Sequence, residues 1–169
     1  MEKIGLGGGC HWCTEAVFLS LRGIVCVEQG WIAAEEKRSF SEAIIVYYNP
    51  AEINLPVLIG IHLHTHSSTA NHSMRNKYRS AIYTFTQEQR EACEGILINL
   101  QNNFDKPLVT EVLTFHDFRF SLKDEENYYY KNPAKPFCKT HIHPRLKMLL
   151  KNFSAHADSA KINSGSNCF

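Results

Sequence analysis

Apolar positions fall in short runs separated by polar breaks, and the spacing inside each run predicts its element. Ile4 and Leu6 alternate with small residues and lead into Gly7-Gly8-Gly9, a strand entering a glycine turn. Ala16, Val17, Phe18, Leu19 and Leu21 follow in a helical pattern that ends near Arg22-Gly23. Ile24 to Val27 predicts a strand, and residues 29–38 predict a loop. Residues 42–48 are β-branched and aromatic, the composition of a strand, and Asn49-Pro50 ends them. Asn54-Leu55-Pro56 offers a cap and an early proline to a helix through Leu58 and Ile61. Residues 62–77 are polar and rich in histidine, long for a loop without structure of its own, which points to function. Residues 80–85 predict a strand, and Thr86 caps a long helix with Ala92, Ile96 and Leu100 on its apolar side. Residues 108–120 are strand-like in their first half, 124–130 predict a short helix broken by Asn132-Pro133 and Lys135-Pro136, and 144–153 predict a last helix. From Ser154 onward the residues are small and polar and predict a flexible tail. The alternation of strands and helices gives a single α/β (α+β) domain over 1–153, with helices on a mixed central sheet, and a tail over 154–169.

Composition narrows the function classes. A chain of 169 residues builds a full core without disulfide staples. Its net charge of +1 gives no electrostatic case for nucleic acid or an anionic membrane as partner. No apolar run approaches the roughly 20 residues of a membrane span. The start, Met1-Glu2-Lys3-Ile4-Gly5, has no signal-peptide layout, so a cytoplasmic location is expected. There the six cysteines, at 10, 13, 26, 93, 138 and 168, are expected to be free or redox-active. Cys26 and Cys93 lie in apolar patterns and read as small core residues.

Candidate chemistry concentrates at Cys10. The order strand, glycine turn, helix start places its thiol at a helix N-terminus, where unpaired N–H groups and the helix dipole favour the thiolate. Glu42 opens an apolar strand, so its carboxyl is available to a cleft. Tyr78 lies just before another strand, and Trp12 and Trp31 are available to wall an apolar pocket. A thiolate, an acid and an aromatic pocket suit attack on a small polarised group.

These segments resemble the A-class peptide-methionine sulfoxide reductases. That family's Gly-Cys-Phe-Trp turn is matched by Gly9-Cys10-His11-Trp12, with its following glutamate at Glu15. Its Gly-Tyr loop is matched by Gly30-Trp31, and its acid-led strand by Glu42 through Tyr48-Asn49-Pro50. Its histidine-led loop is matched by His62 through Tyr78-Arg79-Ser80-Ala81-Ile82. Its late elements are matched by Lys131-Asn132-Pro133 and Phe137-Cys138. The resemblance implies a ferredoxin-like core and reduction of the S epimer of methionine sulfoxide, free or in peptides. Cys10 attacks the sulfur, Glu42 supplies a proton to the oxygen, and Tyr78 holds that oxygen. A sulfoxide is a poor electrophile until its oxygen is protonated, so an acid beside the thiol is required, kept protonated by an apolar, partly buried setting. Cys10 is left as a sulfenic acid, which a second thiol condenses to a disulfide. Cys13, three residues on, needs no long-range movement; Cys138 matches the late cysteine used by other members; Cys168 is available to relay a disulfide outward. Thioredoxin or a similar dithiol restores the enzyme. No metal or other cofactor is called for.

The chain departs from the family pattern inside the site. His11 stands for a phenylalanine, Trp31 for a tyrosine and Ser73 for an aspartate, in a loop, Asn71 to Arg75, that has lost two glycines. His11, Trp12, Trp31 and Ser73 are the expected substrate-binding residues. Three other readings stay open. His62, His64 and His66 alternate and, with Cys10-x-x-Cys13, are possible zinc ligands, although a second ligand pair at finger spacing is missing. The altered loop also suits a protein that binds methionine-like side chains without turnover. A general dithiol oxidoreductase would leave Glu42 and Tyr78 without a role.

Overall fold

A computed structural model describes residues 1–164, for residue 164 the backbone alone, so Cys168 lies outside the described residues. Five strands form one mixed sheet: β1 (Glu2–Gly7), β2 (Ile24–Ala34), β3 (Ser41–Tyr48), β4 (Ala81–Thr84) and β5 (Glu111–Phe120). Their order is β1-β3-β2-β5-β4, and β4 pairs back onto β1, so the sheet closes into a barrel. The β4–β5 pair is parallel and the others are antiparallel.

The period of two along each strand sorts the side chains into two cores. Ile4, Leu6, Ile44, Val46, Tyr48 and Ile82 face the helices. Ile32, Ala34, Ala43, Ile45, Ala81, Tyr83 and Leu113 pack on one another on the opposite face, inside the closed sheet. The helices are α1 (His11–Leu19), α2 (Leu55–Thr65), α3 (Gln87–Leu100), α4 (Tyr128–Lys131), α5 (His143–Asn152) and α6 (Ser159–Ser164). Asn54 and Thr86 cap α2 and α3 as their sequences predict, accepting from the N–H groups of Val57 (3.0 Å) and Gln89 (3.1 Å).

Three segments differ from the sequence reading. Residues 29–34, expected in a loop, belong to β2, because this stretch is paired on both sides: Trp31 opposes Glu42 on β3 and Arg119 on β5. Gly30 permits that pairing, since a Cβ there would collide with the Arg119 carbonyl. Helix α2 runs on to Thr65, so His62 and His64 are helical rather than extended. Past residue 153, where the domain was expected to end, the chain still packs on it. Ala157 is buried and bridges Leu21, while the backbone of Arg22 and Asp158 bonds His156 (2.9 Å) and Ser20 (2.8 Å). The backbone groups left over where α1 stops find their partners there.

Candidate active site

β1 delivers the glycine turn to one end of the sheet, and Cys10 caps α1. Its carbonyl accepts from Cys13 N (3.1 Å) and Thr14 N (3.2 Å), so the thiol lies at the start of the helix. Gly8 has no room for a side chain, because the His66 ring lies against it. His66 is fixed from both sides, by the His62 carbonyl at Nδ1 (2.6 Å) and Ser80 Oγ at Nε2 (2.8 Å). Burial pushes its pKa down to about 4, so the ring is neutral near pH 7.

A cleft of about 320 Å³ opens beside the turn, lined by Cys10, Cys13, His66, Tyr78, Phe137 and Arg145 among others. The Cys13 thiol hydrogen-bonds Cys10 and brings the Cys10 pKa below that of an ordinary cysteine. Burial opposes that shift, and the N–H groups of Cys13 and Trp12 add to it. The same thiol–thiol bond, with burial, pushes Cys13 far up. The pair is therefore asymmetric: of the two thiols, Cys10 gives up its proton the more readily.

Glu42 reaches this centre through the backbone. Its Oε2 accepts the N–H of His11, the residue after Cys10, at 3.0 Å, and it is buried. Its surroundings are more polar than the apolar setting expected from sequence. Lys77 Nζ lies 3.6 Å from Oε1 and His11 Nε2 3.9 Å from Oε2, while His11 Nδ1 contacts the Gly30 carbonyl at 3.0 Å. Tyr78 is half-buried with the Lys77 ammonium 5.0 Å from its ring centre.

The remaining expected residues divide. Trp31 meets His11 edge-on at 5.0 Å. Trp12 stacks on Tyr128 at 4.1 Å and takes the edge of Phe137 at 5.4 Å. Ser73 is exposed in the turn Ser73–Asn76, and its neighbours His72 and Met74 line the cleft instead. Cys138 opens a π-helical turn, Cys138–Ile142; it is fully buried, raised by that burial, and donates to the Asn132 carbonyl at 3.6 Å. The zinc reading lacks its ligand set. His62, in the last turn of α2, and His66, just past its end, bring their rings to 4.2 Å, whereas His64 packs against Phe104 and Phe153. Among the described residues no group of three His, Cys, Asp or Glu is assembled to hold a metal.

Three residues missed in the sequence are basic. Lys77 faces the acid. Arg75 straps the altered loop to the cysteine turn, donating to the carbonyls of Gly8 (3.0 Å), Tyr78 (2.9 Å) and Ala70 (2.9 Å). Arg145 approaches Cys13 Sγ to 3.6 Å. A basic residue in a loop or on a short amphipathic helix carries no local sign of such a role. Glu15, matched to the family glutamate, is buried and accepts from Gln29 (2.7 Å) and the N–H groups of Asn127 (2.8 Å) and Tyr128 (3.3 Å). It thereby fixes the segment that brings Tyr128 onto Trp12.

The sequence model of the family described as "Peptide methionine sulfoxide reductase" matches residues 2–158. A peptide methionine sulfoxide reductase MsrA of Trichodesmium erythraeum is 33% identical over 90% of this chain and 96% of its own. The crystal structure of Mxr1 from Saccharomyces cerevisiae in an unusual oxidized form superposes with a TM-score of 0.66 at 25% identity, over 83% of this chain and 86% of that one. Mxr1 in complex with Trx2 superposes at 0.61 and 22% identity, over 75% of this chain and 84% of that one. With a match over nearly all of its length, and an acid held against a cysteine-led helix start, this chain belongs to the peptide methionine sulfoxide reductase family.

Proposed function

We propose that this chain reduces the S epimer of methionine sulfoxide to methionine, with Cys10 as nucleophile and Cys13 as the thiol that resolves the product. The observation that carries the reading is the asymmetric thiol pair at the start of α1, in a cleft shared with Tyr78. Cys10 thiolate attacks the sulfoxide sulfur. As the oxygen, with one proton, passes to Cys10, the Sγ–O bond forms and the S–O and Sγ–S bonds break; the methionine sulfur keeps the electron pair of the Sγ–S bond and methionine leaves, with Cys10 a sulfenic acid. Glu42 supplies the proton and Tyr78 donates a hydrogen bond to the oxygen, so negative charge never accumulates on it. Trp31 and His11 flank the acid. The Cys10–Cys13 disulfide is then returned to thiols by thioredoxin or another dithiol in a reducing cytoplasm; Mxr1, which shares the fold, has been captured with Trx2.

Mixed methionine sulfoxide epimers, with dithiothreitol as reductant, test the reading. The expected result is loss of the S epimer alone and no turnover by Cys10→Ser. A folded, fully reduced wild type that turns over neither epimer overturns it and favours binding without chemistry, for which the rebuilt, largely exposed loop Asn71 to Arg75 is the motive.

A further inference from the structure

Arg145 is held where it faces a thiol. Its Nε donates to the Thr65 carbonyl at the end of α2 (3.0 Å), and Nη1 donates to the His141 carbonyl one turn earlier. The same Nη1 lies 3.6 Å from Cys13 Sγ. Two backbone anchors on separate elements fix the guanidinium, and its remaining contact is the sulfur. The groups around Cys13 are few. They are Cys10 at the cap of α1, Cys138 from the π-helical turn, His62 and His66 from α2, and Arg145 from α5. Burial holds both histidines well below their ordinary range, so they are neutral near pH 7. Arg145 is the permanent cation of that set.

The first step of the reaction makes this contact useful. While Cys10 is a thiolate, Cys13 keeps its proton and donates it to Cys10. Once Cys10 has become a sulfenic acid, that acceptor is gone, and Cys13 must lose its proton to attack. Its burial opposes this, and the neighbouring guanidinium favours it.

We propose that Arg145 is a positioning residue for the resolving step: its guanidinium stabilises the Cys13 thiolate that attacks the Cys10 sulfenic acid. The inference rests on Cys13 being the resolving thiol. In the step, Cys13 Sγ forms a bond to Cys10 Sγ and the Cys10 S–O bond breaks. The departing hydroxide takes the proton that Cys13 gave up and leaves as water. Cys13 is oxidised, the sulfenyl sulfur is reduced, and Arg145 keeps its charge throughout.

The test separates the two half-reactions in reduced full-length protein mixed with methionine S-sulfoxide and no added reductant. Methionine release reports the first step. Loss of dimedone-reactive sulfenic acid at Cys10, with appearance of the Cys10–Cys13 disulfide by peptide mapping, reports the second. Arg145→Met, at a residue that lines the cleft, is expected to slow release of its first methionine far less than the resolving step. Its sulfenic acid should then persist, with disulfide formation slowed about tenfold and its pH dependence moved to higher pH. Arg145→Lys should restore much of the rate. Disulfide formation in Arg145→Met at the wild-type rate and pH profile overturns the proposal. So does an equal slowing of both steps, which marks a structural role. Cys13→Ser distinguishes failure of the underlying reading: if it still forms a Cys10 disulfide at the wild-type rate, Cys13 is not the resolving thiol and the role of Arg145 falls with it.

Discussion

The two ends of the site are built differently. The thiol end stands on regular structure: β1, the glycine turn, the first turn of α1, the end of α2 and the start of α5. The oxygen end is a patchwork. Glu42 comes from the start of β3 and Tyr78 from the end of an exposed segment. The two are tied by Glu42 N and Ser41 Oγ, both donating to the Lys77 carbonyl (3.0 and 2.9 Å). Arg79 N closes the link by donating to Ser41 Oγ (2.8 Å). A helix start constrains what its first residues can be, whereas a loop held by carbonyl–arginine contacts tolerates many sequences. The family departures follow this division. The cysteine, the tryptophan and the glutamate of the first helix persist, with His11 its one departure, while residues 71–75 have been rewritten more fully, around Arg75.

Breaking either end separates their contributions. Cys10→Ser has the largest expected effect, complete loss of turnover in the epimer assay with no loss of fold by circular dichroism. Glu42→Gln keeps the acceptor for His11 N–H and removes the proton donor, so kcat should fall about 10²- to 10⁴-fold in steady-state assays. Arg75→Ala removes the donor to four carbonyls at once, those of Gly8, Ser67, Ala70 and Tyr78. A drop of about 1–3 kcal/mol in urea stability is expected, and the KM for sulfoxide should rise while the Cys10 thiol alkylates at an unchanged rate. Equal damage to thiol reactivity would show that the two ends are not independent.

A last effect, on stability alone, concerns Glu15, whose pKa burial raises to about 7. The folded state then binds a proton that the unfolded state gives up above about pH 4.5. The contribution is fully present at low pH and is lost as pH rises toward about 7, a change of about 3 kcal/mol. The buried histidines, lowered in the folded state, act oppositely and cost stability as pH falls below about 6.5. The difference between wild type and Glu15→Gln in urea midpoints from pH 5 to 8 isolates Glu15. A pH-independent difference would refute the assignment.

Legibility followed the same division. Cys10, Cys13 and the helix they start could be read from Gly7-Gly8-Gly9 and the apolar positions that follow, because turn and capping chemistry are local. The carboxyl of Glu42 could be named, but not its bond to His11 N–H, which spans 31 residues. Ser73, named through alignment with a family aspartate, is exposed while its neighbours line the cleft, since the rebuilt segment folds around Arg75. Residues 62–65 read as part of a polar loop because they lack an apolar period; the helix continues through them on the packing of Leu63 and the buried His62.

The sequence by itself determined the strands and helices with strong periodicity, the place of a cysteine at a helix start, and the family. Each is written in neighbouring residues or in short motifs kept in order. Only the tertiary structure decided the closure of the sheet, the polar surroundings of Glu42, the strap made by Arg75 and the approach of Arg145 to Cys13. Glu42 to His11, Arg75 to Gly8 and Arg145 to Cys13 join residues 31, 67 and 132 positions apart, and the free energy of such contacts depends on burial and distance, quantities that exist only once the chain has folded.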